Sequence, residues 1–226
     1  LYNNPCDFDF VILGDSFAFG QGIDIENRFD VLINKELKSI NFGVPGYSIL
    51  QSYLKQKKYI NQLNCKIPKK IILIIYSNDL NDAQSPHHVF RFRPLLSNEK
   101  IYFPNNLYLS IHGKIRDMSY FYLLSTLVVH KFKRINYNYY TQNILPLVNE
   151  IKYIEQDTIH NEIYIILNGL NKELGNKILN NKVCQKINCF DSFSYSNNPE
   201  LFLSDDVHWN EKAHKFFSNI IINKIK

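Results

Sequence analysis

The run Lys70-Ile71-Ile72-Leu73-Ile74-Ile75-Tyr76 narrows the possible folds more than any other stretch of the chain. It is too short for a buried helix and shows no alternation of apolar and polar residues. It therefore reads as a strand covered on both faces, the situation found inside a parallel sheet. Shorter runs of the same kind recur at Asp9 to Leu13, Ser39 to Phe42, Glu162 to Leu167 and Cys189 to Asp191. Between them lie segments with helical spacing. Phe29, Leu32, Ile33 and Leu37 predict a helix over Asn27 to Lys38, and further helices are expected over Ser48 to Leu63, Ile144 to Ile159 and Gly169 to Leu179. Pro146 falls in a first turn, where its missing N–H is harmless. A last helix follows Asn210, its predicted cap, with Ala213, Phe216, Phe217, Ile220 and Ile221 on one face. Strands that alternate with helices give an α/β chain, a five-stranded parallel sheet between two helical layers.

The chain has 226 residues, enough for a large core, and no Pro/Gly/Ser-rich linker divides it. One domain over residues 1–226 is expected, with an aromatic-rich insertion at about 80–140. The net charge of +5 comes from scattered lysines. No basic stripe or nucleic-acid-reading motif is visible, so a solvated surface accounts for it and no nucleic-acid partner is expected. No apolar run approaches the roughly 18 residues that a spanning helix needs. The chain starts at Leu1 rather than at an initiator methionine, as a chain would after removal of a leader or anchor.

Each predicted strand ends in a polar cluster. Gly14-Asp15-Ser16 closes the first, Asn41-Phe42-Gly43-Val44-Pro45-Gly46 follows the second, and Tyr76-Ser77-Asn78-Asp79 ends the third. Ser204-Asp205-Asp206-Val207-His208-Trp209 precedes the last helix. In an open parallel sheet these strand ends share one edge, where ligands bind. Gly20 and Gly22 resemble the start of a dinucleotide fingerprint, but the third glycine is missing and that reading is rejected.

Together the four clusters resemble the SGNH/GDSL hydrolases, whose sequence blocks supply serine, glycine, asparagine and histidine in this order. The resemblance spans nearly the whole chain and implies the flavodoxin-like, three-layer α/β/α fold of that family. Carried over by position, it implies Ser16 as nucleophile, oxyanion donors at Ser16, Gly46 and Asn78, and an Asp-x-x-His pair at Asp205 and His208. Two positions depart from the family pattern: Tyr76 stands where a glycine is common, and Trp209 where a proline is frequent.

The chemistry of these residue types agrees with that assignment. A serine hydroxyl needs a base within hydrogen-bond reach, which His208 can supply, and a carboxylate on the other ring nitrogen stabilises the imidazolium. Adjacent residues in a turn point apart, so Asp205 is preferred for that place and Asp206 is assigned to solvent or a cap. Asp15, Trp209, Arg91 and Arg93 are the candidate substrate contacts. The two arginines could receive an anionic group or merely be solvated. The aromatic insertion could form a lid or a satellite core.

The predicted activity is hydrolysis of a small acyl ester, acetyl above all, from a bacterial glycan, with no metal or organic cofactor required. An O-acetyltransferase that modifies a polysaccharide is the alternative enzyme, and a catalytically inactive glycan-binding module the non-enzymatic one. In a sheet of order 2-1-3 the segments carrying Cys6 and Cys65 are neighbours, while Cys184 and Cys189 bracket a short loop. Two disulfides, Cys6 with Cys65 and Cys184 with Cys189, imply a periplasmic or extracellular setting. Four inert thiols would leave a cytoplasmic one open. No zinc-ligand spacing is present in the sequence.

Overall fold

The structure, a computed structural model, describes residues 5–84, 93–103, 143–157, 162–167, 172–181, 188–191 and 198–226. Strands β1 (Phe10–Leu13), β2 (Ser39–Asn41), β3 (Lys70–Ile75), β6 (Glu162–Leu167) and β7 (Asn188–Asp191) form one sheet in the order β2-β1-β3-β6-β7. Every pair in it is parallel, with Val11 opposite Ile71 and Leu73 opposite Ile165. The five-stranded α/β architecture is thus the one the strand runs predict. β3 lies at its centre, and Ile71 to Ile75 are buried throughout.

Side chains alternate across the sheet with period two, so each strand feeds two cores. Val11, Leu13, Ile71, Leu73, Ile75, Ile163 and Ile165 pack under α3 (Ile49–Leu63), α5 (Leu145–Asp157) and α6 (Lys172–Leu179). Ile12, Ile72, Ile74 and Ile166 pack on the opposite face under α1 (Ser16–Phe19), α2 (Phe29–Ile33) and α7 (Glu211–Ile225). No helix among the described residues is long and apolar enough to cross a membrane.

Local chemistry sets the helix ends. Ser48 and Gln51 form a reciprocal capping box that starts α3, and Asn64 closes it in the left-handed region at φ 52°. Asn210 caps α7 by accepting from the Ala213 N–H. The helix expected over Asn27 to Lys38 is shorter than its apolar spacing suggests. A 3₁₀ turn at Ile25–Asn27 precedes it, Arg28 is extended, and α2 ends at Ile33. Asn34 explains the stop: its side-chain oxygen accepts from the backbone N–H and the hydroxyl of Ser39, which ties the chain back into β2.

Most of the expected insertion lies outside the described residues, and with it Arg91. The described part contains α4 (Asp79–Asp82) and a hairpin of β4 (Leu95–Ser97) and β5 (Lys100–Tyr102). Asn98 and Glu99 turn this hairpin with positive φ at both positions, as a two-residue loop requires. Cys6 and Cys65 are bonded, with Cα atoms 5.1 Å apart. Cys189 is disulfide-bonded as well, and Cys184 lies outside the described residues.

Candidate active site

Ser16 opens α1 directly after β1, and the turn that exposes it depends on Gly14. At φ +153° Gly14 passes so close to β3 that a Cβ would stand 2.7 Å from the Ile74 carbonyl oxygen. Its N–H donates to the Ser52 hydroxyl, which donates in turn to the Phe42 carbonyl, so α3 holds the ends of β1 and β2 together. Asn41 adds a second tie: it donates to the Ala18 carbonyl and accepts from the Gly43 N–H. A Cβ on Gly43 would meet the backbone nitrogen of Phe19 at 2.6 Å, so the loop after β2 touches α1 through glycine.

His208 arrives from the other end of the chain. Its Nε2 lies 2.8 Å from Ser16 Oγ across 192 positions of sequence. The Leu203 N–H donates to the His208 carbonyl, the Asn210 N–H donates to the Leu201 carbonyl, and the Asn210 amide holds the Glu200 and Phe202 carbonyls. The cap residue therefore also fastens the loop that carries the histidine. The ring lies against Phe17, with centroids 4.9 Å apart.

The carboxylate on the far ring nitrogen is Asp206 and not Asp205. Asp206 Oδ1 stands 2.9 Å from His208 Nδ1 and also accepts from the Val207 N–H at 2.6 Å. Asp205 is exposed and makes no hydrogen bond to His208. The expectation that neighbouring side chains diverge is met, but the loop bends sharply here. A carboxylate that accepts from the next residue's N–H turns back over the chain and meets the side chain two positions on. Burial raises the Asp206 carboxyl, but the hydrogen bond and charge of His208 outweigh it, and the group sits below its ordinary value. With Asp206 as acceptor, His208 carries its proton on Nδ1 and offers Nε2 to the serine.

The three expected anion donors differ in state. The Ser16 N–H begins α1 and has no acceptor within that helix, and the Gly46 N–H has no partner among the described residues. Gly46 sits at φ 77°, in the left-handed region. The Asn78 amide is already engaged: it donates to Asp15 Oδ2 at 2.9 Å and to Asp82 Oδ2 at 3.1 Å. Both of its hydrogens are used, so a third acceptor would have to displace one carboxylate.

Three expected substrate contacts are corrected. Asp15 is 1% exposed and caps α1 by accepting from the Phe17 N–H. Trp209 is also 1% exposed, packed against Phe17, Phe29, His214 and Phe217, and it belongs to the core under α7. Arg93 is neither solvated nor presented to a ligand. One guanidinium nitrogen donates to Asp82, and the other donates to the Gly46 carbonyl at 3.0 Å.

Around Asp15 lies a set of further buried acids, Asp79, Asp82 and Glu150, that the sequence did not single out. Burial raises Asp15 against the pull of Asn78, and it raises Asp79 well above its ordinary value with the nearby Asp15 and Asp82 charges in support. Asp82 is pushed up to about 6 by burial although Arg93 opposes it, and Glu150 on α5 is pushed up to about 8 by burial. Asp79 accepts from the Tyr76 N–H, and Glu150 accepts from the Leu50 N–H in the first turn of α3. The partner of Glu150, Leu50, is remote in sequence, and the short-range ties of Asp79 and Asp82 to Tyr76 and Asn78 follow no pattern that the sequence shows.

Three solved structures are similar to this chain. A family 3 carbohydrate esterase from Clostridium thermocellum matches with a TM-score of 0.52 at 13% identity, over 96% of this chain and 94% of that one. A lipolytic protein of the G-D-S-L family from Veillonella parvula matches with a TM-score of 0.49 at 13% identity, over 93% of each chain. A lipolytic protein of the same family from Desulfitobacterium hafniense matches with a TM-score of 0.49 at 11% identity, over 95% of this chain and 97% of that one. The fold is that of the Clostridium thermocellum carbohydrate esterase. No protein-family model matches the sequence, and a search of curated proteins finds no match.

Proposed function

We propose that the chain is a serine esterase that cleaves a small acyl ester through an acyl-Ser16 intermediate. The observation that carries this reading is the 2.8 Å approach of His208 Nε2 to Ser16 Oγ at the ligand-binding edge of the sheet. In acylation, His208 takes the serine proton as Oγ bonds to the ester carbonyl carbon. The carbonyl electron pair moves onto oxygen, and the Ser16 and Gly46 N–H groups receive that charge. Each donor aimed at an oxyanion is worth about 3–4 kcal/mol in systems where one has been removed. The imidazolium, stabilised by Asp206, returns its proton to the leaving alcohol as the ester bond breaks. A water molecule, deprotonated by His208, then releases the carboxylic acid and restores the serine.

The finer proposal is that the alcohol is a sugar hydroxyl and the acyl group acetyl. The resemblance of the four sequence blocks supports it, and so does a neighbour described as a carbohydrate esterase. Hydrolysis is preferred to transfer because Trp209, the residue suited to an acceptor platform, is buried. Two disulfide-bonded sites support an oxidising, extracytoplasmic setting. The test is turnover of p-nitrophenyl esters of graded chain length and of an acetylated oligosaccharide, with and without a free sugar acceptor. Acetate release that an acceptor leaves unchanged is expected. Acetylated acceptor in place of acetate would make the chain a transferase.

A further inference from the structure

We propose that Arg93 is the positioning residue of the anion-receiving corner, its guanidinium fixing Gly46 directly and Asn78 through Asp82. The inference rests on the reading of Ser16 as nucleophile. Arg93 is 1% exposed and its two terminal nitrogens serve two different acceptors, Asp82 Oδ1 and the Gly46 carbonyl. Asp82 Oδ2 accepts from the Asn78 amide, the same amide donates to Asp15, and Asp15 accepts from the N–H of Phe17, next to the serine. One continuous chain of hydrogen bonds therefore joins all three segments that carry the expected anion donors, and Arg93 is the member that links Gly46 to the rest.

The geometry explains why such a tie is needed. Glycine has little intrinsic preference for one backbone conformation, and Gly46 follows an exposed Pro45 in a turn. Holding its carbonyl anchors the Gly46–Tyr47 peptide, so the Gly46 Cα is fixed on one side and the Pro45–Gly46 peptide that carries the N–H has fewer ways to turn. A planar fork is suited to this, because it can place two nitrogens on two acceptors at a fixed separation, which an ammonium cannot. Stability is the weaker account. A buried ion pair gains little over apolar residues of similar size once desolvation is counted.

The experiment compares the full native chain with Arg93→Met, Arg93→Lys and Ser16→Ala. The readouts are p-nitrophenyl acetate turnover, direct binding of phenylboronic acid, whose tetrahedral serine adduct engages the same donors, and circular dichroism for folding. Arg93→Met is expected to lower kcat about 10- to 100-fold with KM within about twofold. Boronate affinity should weaken by the same factor as kcat/KM. Arg93→Lys, which keeps the charge but loses the fork, is expected to fall between the native chain and Arg93→Met. A folded Arg93→Lys or Arg93→Met with native kcat overturns the proposal, and so does a kcat loss with boronate affinity unchanged. If neither variant folds, Arg93 serves the fold and the proposal fails. Full turnover by Ser16→Ala would instead sink the nucleophile assignment, whatever Arg93 does.

Discussion

The two halves of the candidate site are held in different ways. The serine half, from Gly14 to Ser16 with Gly46 and Asn78, is fastened by buried and part-buried bonds through Ser52, Asn41, Asp15, Asp82 and Arg93, most of them between segments remote in sequence. The histidine half is a surface loop. Residues 204–207 are exposed, and the Asp206 side chain retains 43% of its exposure while it pairs with His208. On the proposed mechanism, rigid support lies where charge would develop on the substrate, and local turn chemistry lies where protons would move. Loss of a supporting group should disturb the packing of the first half, whereas in the surface loop of the second water can replace a partner and the fold should be little affected.

The largest effect is expected from Ser16→Ala. Removing the nucleophile should lower kcat on the order of 10⁴- to 10⁶-fold, as in enzymes where the serine and histidine act as a unit. The thermal midpoint should barely change, since a serine at a strand end packs little. Steady-state turnover and a melt on the same sample decide it; near-native turnover in a folded variant would dissolve the comparison altogether.

Next comes the carboxylate. A hydrogen bond to a charged group contributes about 1.5–3 kcal/mol, so Asp206→Ala should lower kcat/KM roughly 10- to 100-fold. Asp205→Ala should stay within about twofold. Equal losses, or the reverse order, would show that the loop rearranges when substrate binds. Trp209→Ala tests the support behind that loop. Truncating a buried tryptophan costs about 3–5 kcal/mol of stability, and turnover per folded molecule should fall only a few-fold. Hydrolysis and any transfer to a sugar should drop together. A selective loss of transfer would mean that Trp209 meets an acceptor after all.

The same division decides what could be read from the chain. Ser16 and His208 are conspicuous because each belongs to a short cluster at a strand end or before a helix, and the sheet order follows from Ile71 to Ile75 and the runs around it. The carboxylate was misplaced by one residue because the choice depends on a local bend at Asp206 and Val207 that spacing alone does not specify. Arg93 was read as a ligand for substrate because a surface arginine and a buried one look alike in sequence. Its partners, Asp82 and Gly46, are 11 and 47 positions away and carry no pattern that points to it. Trp209 reads in the sequence as a substrate contact because it adjoins His208. The anti-parallel bridge it forms with Phe202 instead turns its ring into the core under α7.

The smallest effect on catalysis is expected at Glu150, and it sharpens the account of the buried half by acting on stability alone. Burial pushes this carboxyl up to about 8, from an ordinary value of 4.5. The folded chain therefore binds the proton more firmly than the unfolded chain does. Linkage then requires that stability fall as pH rises from about 4.5 to about 8, and that this contribution level off outside that window. Asp82, pushed up to about 6, acts with the same sign over a narrower range. Glu150→Gln keeps an oxygen to accept from the Leu50 N–H and removes the titration. Its thermal midpoint should match the native chain near pH 5 and exceed it near pH 9, with turnover at pH 7 within about twofold. An unchanged slope of midpoint against pH would show that Glu150 is not the group that titrates. In that event the acids around Asp82 and Arg93 would carry the whole pH dependence of the buried half.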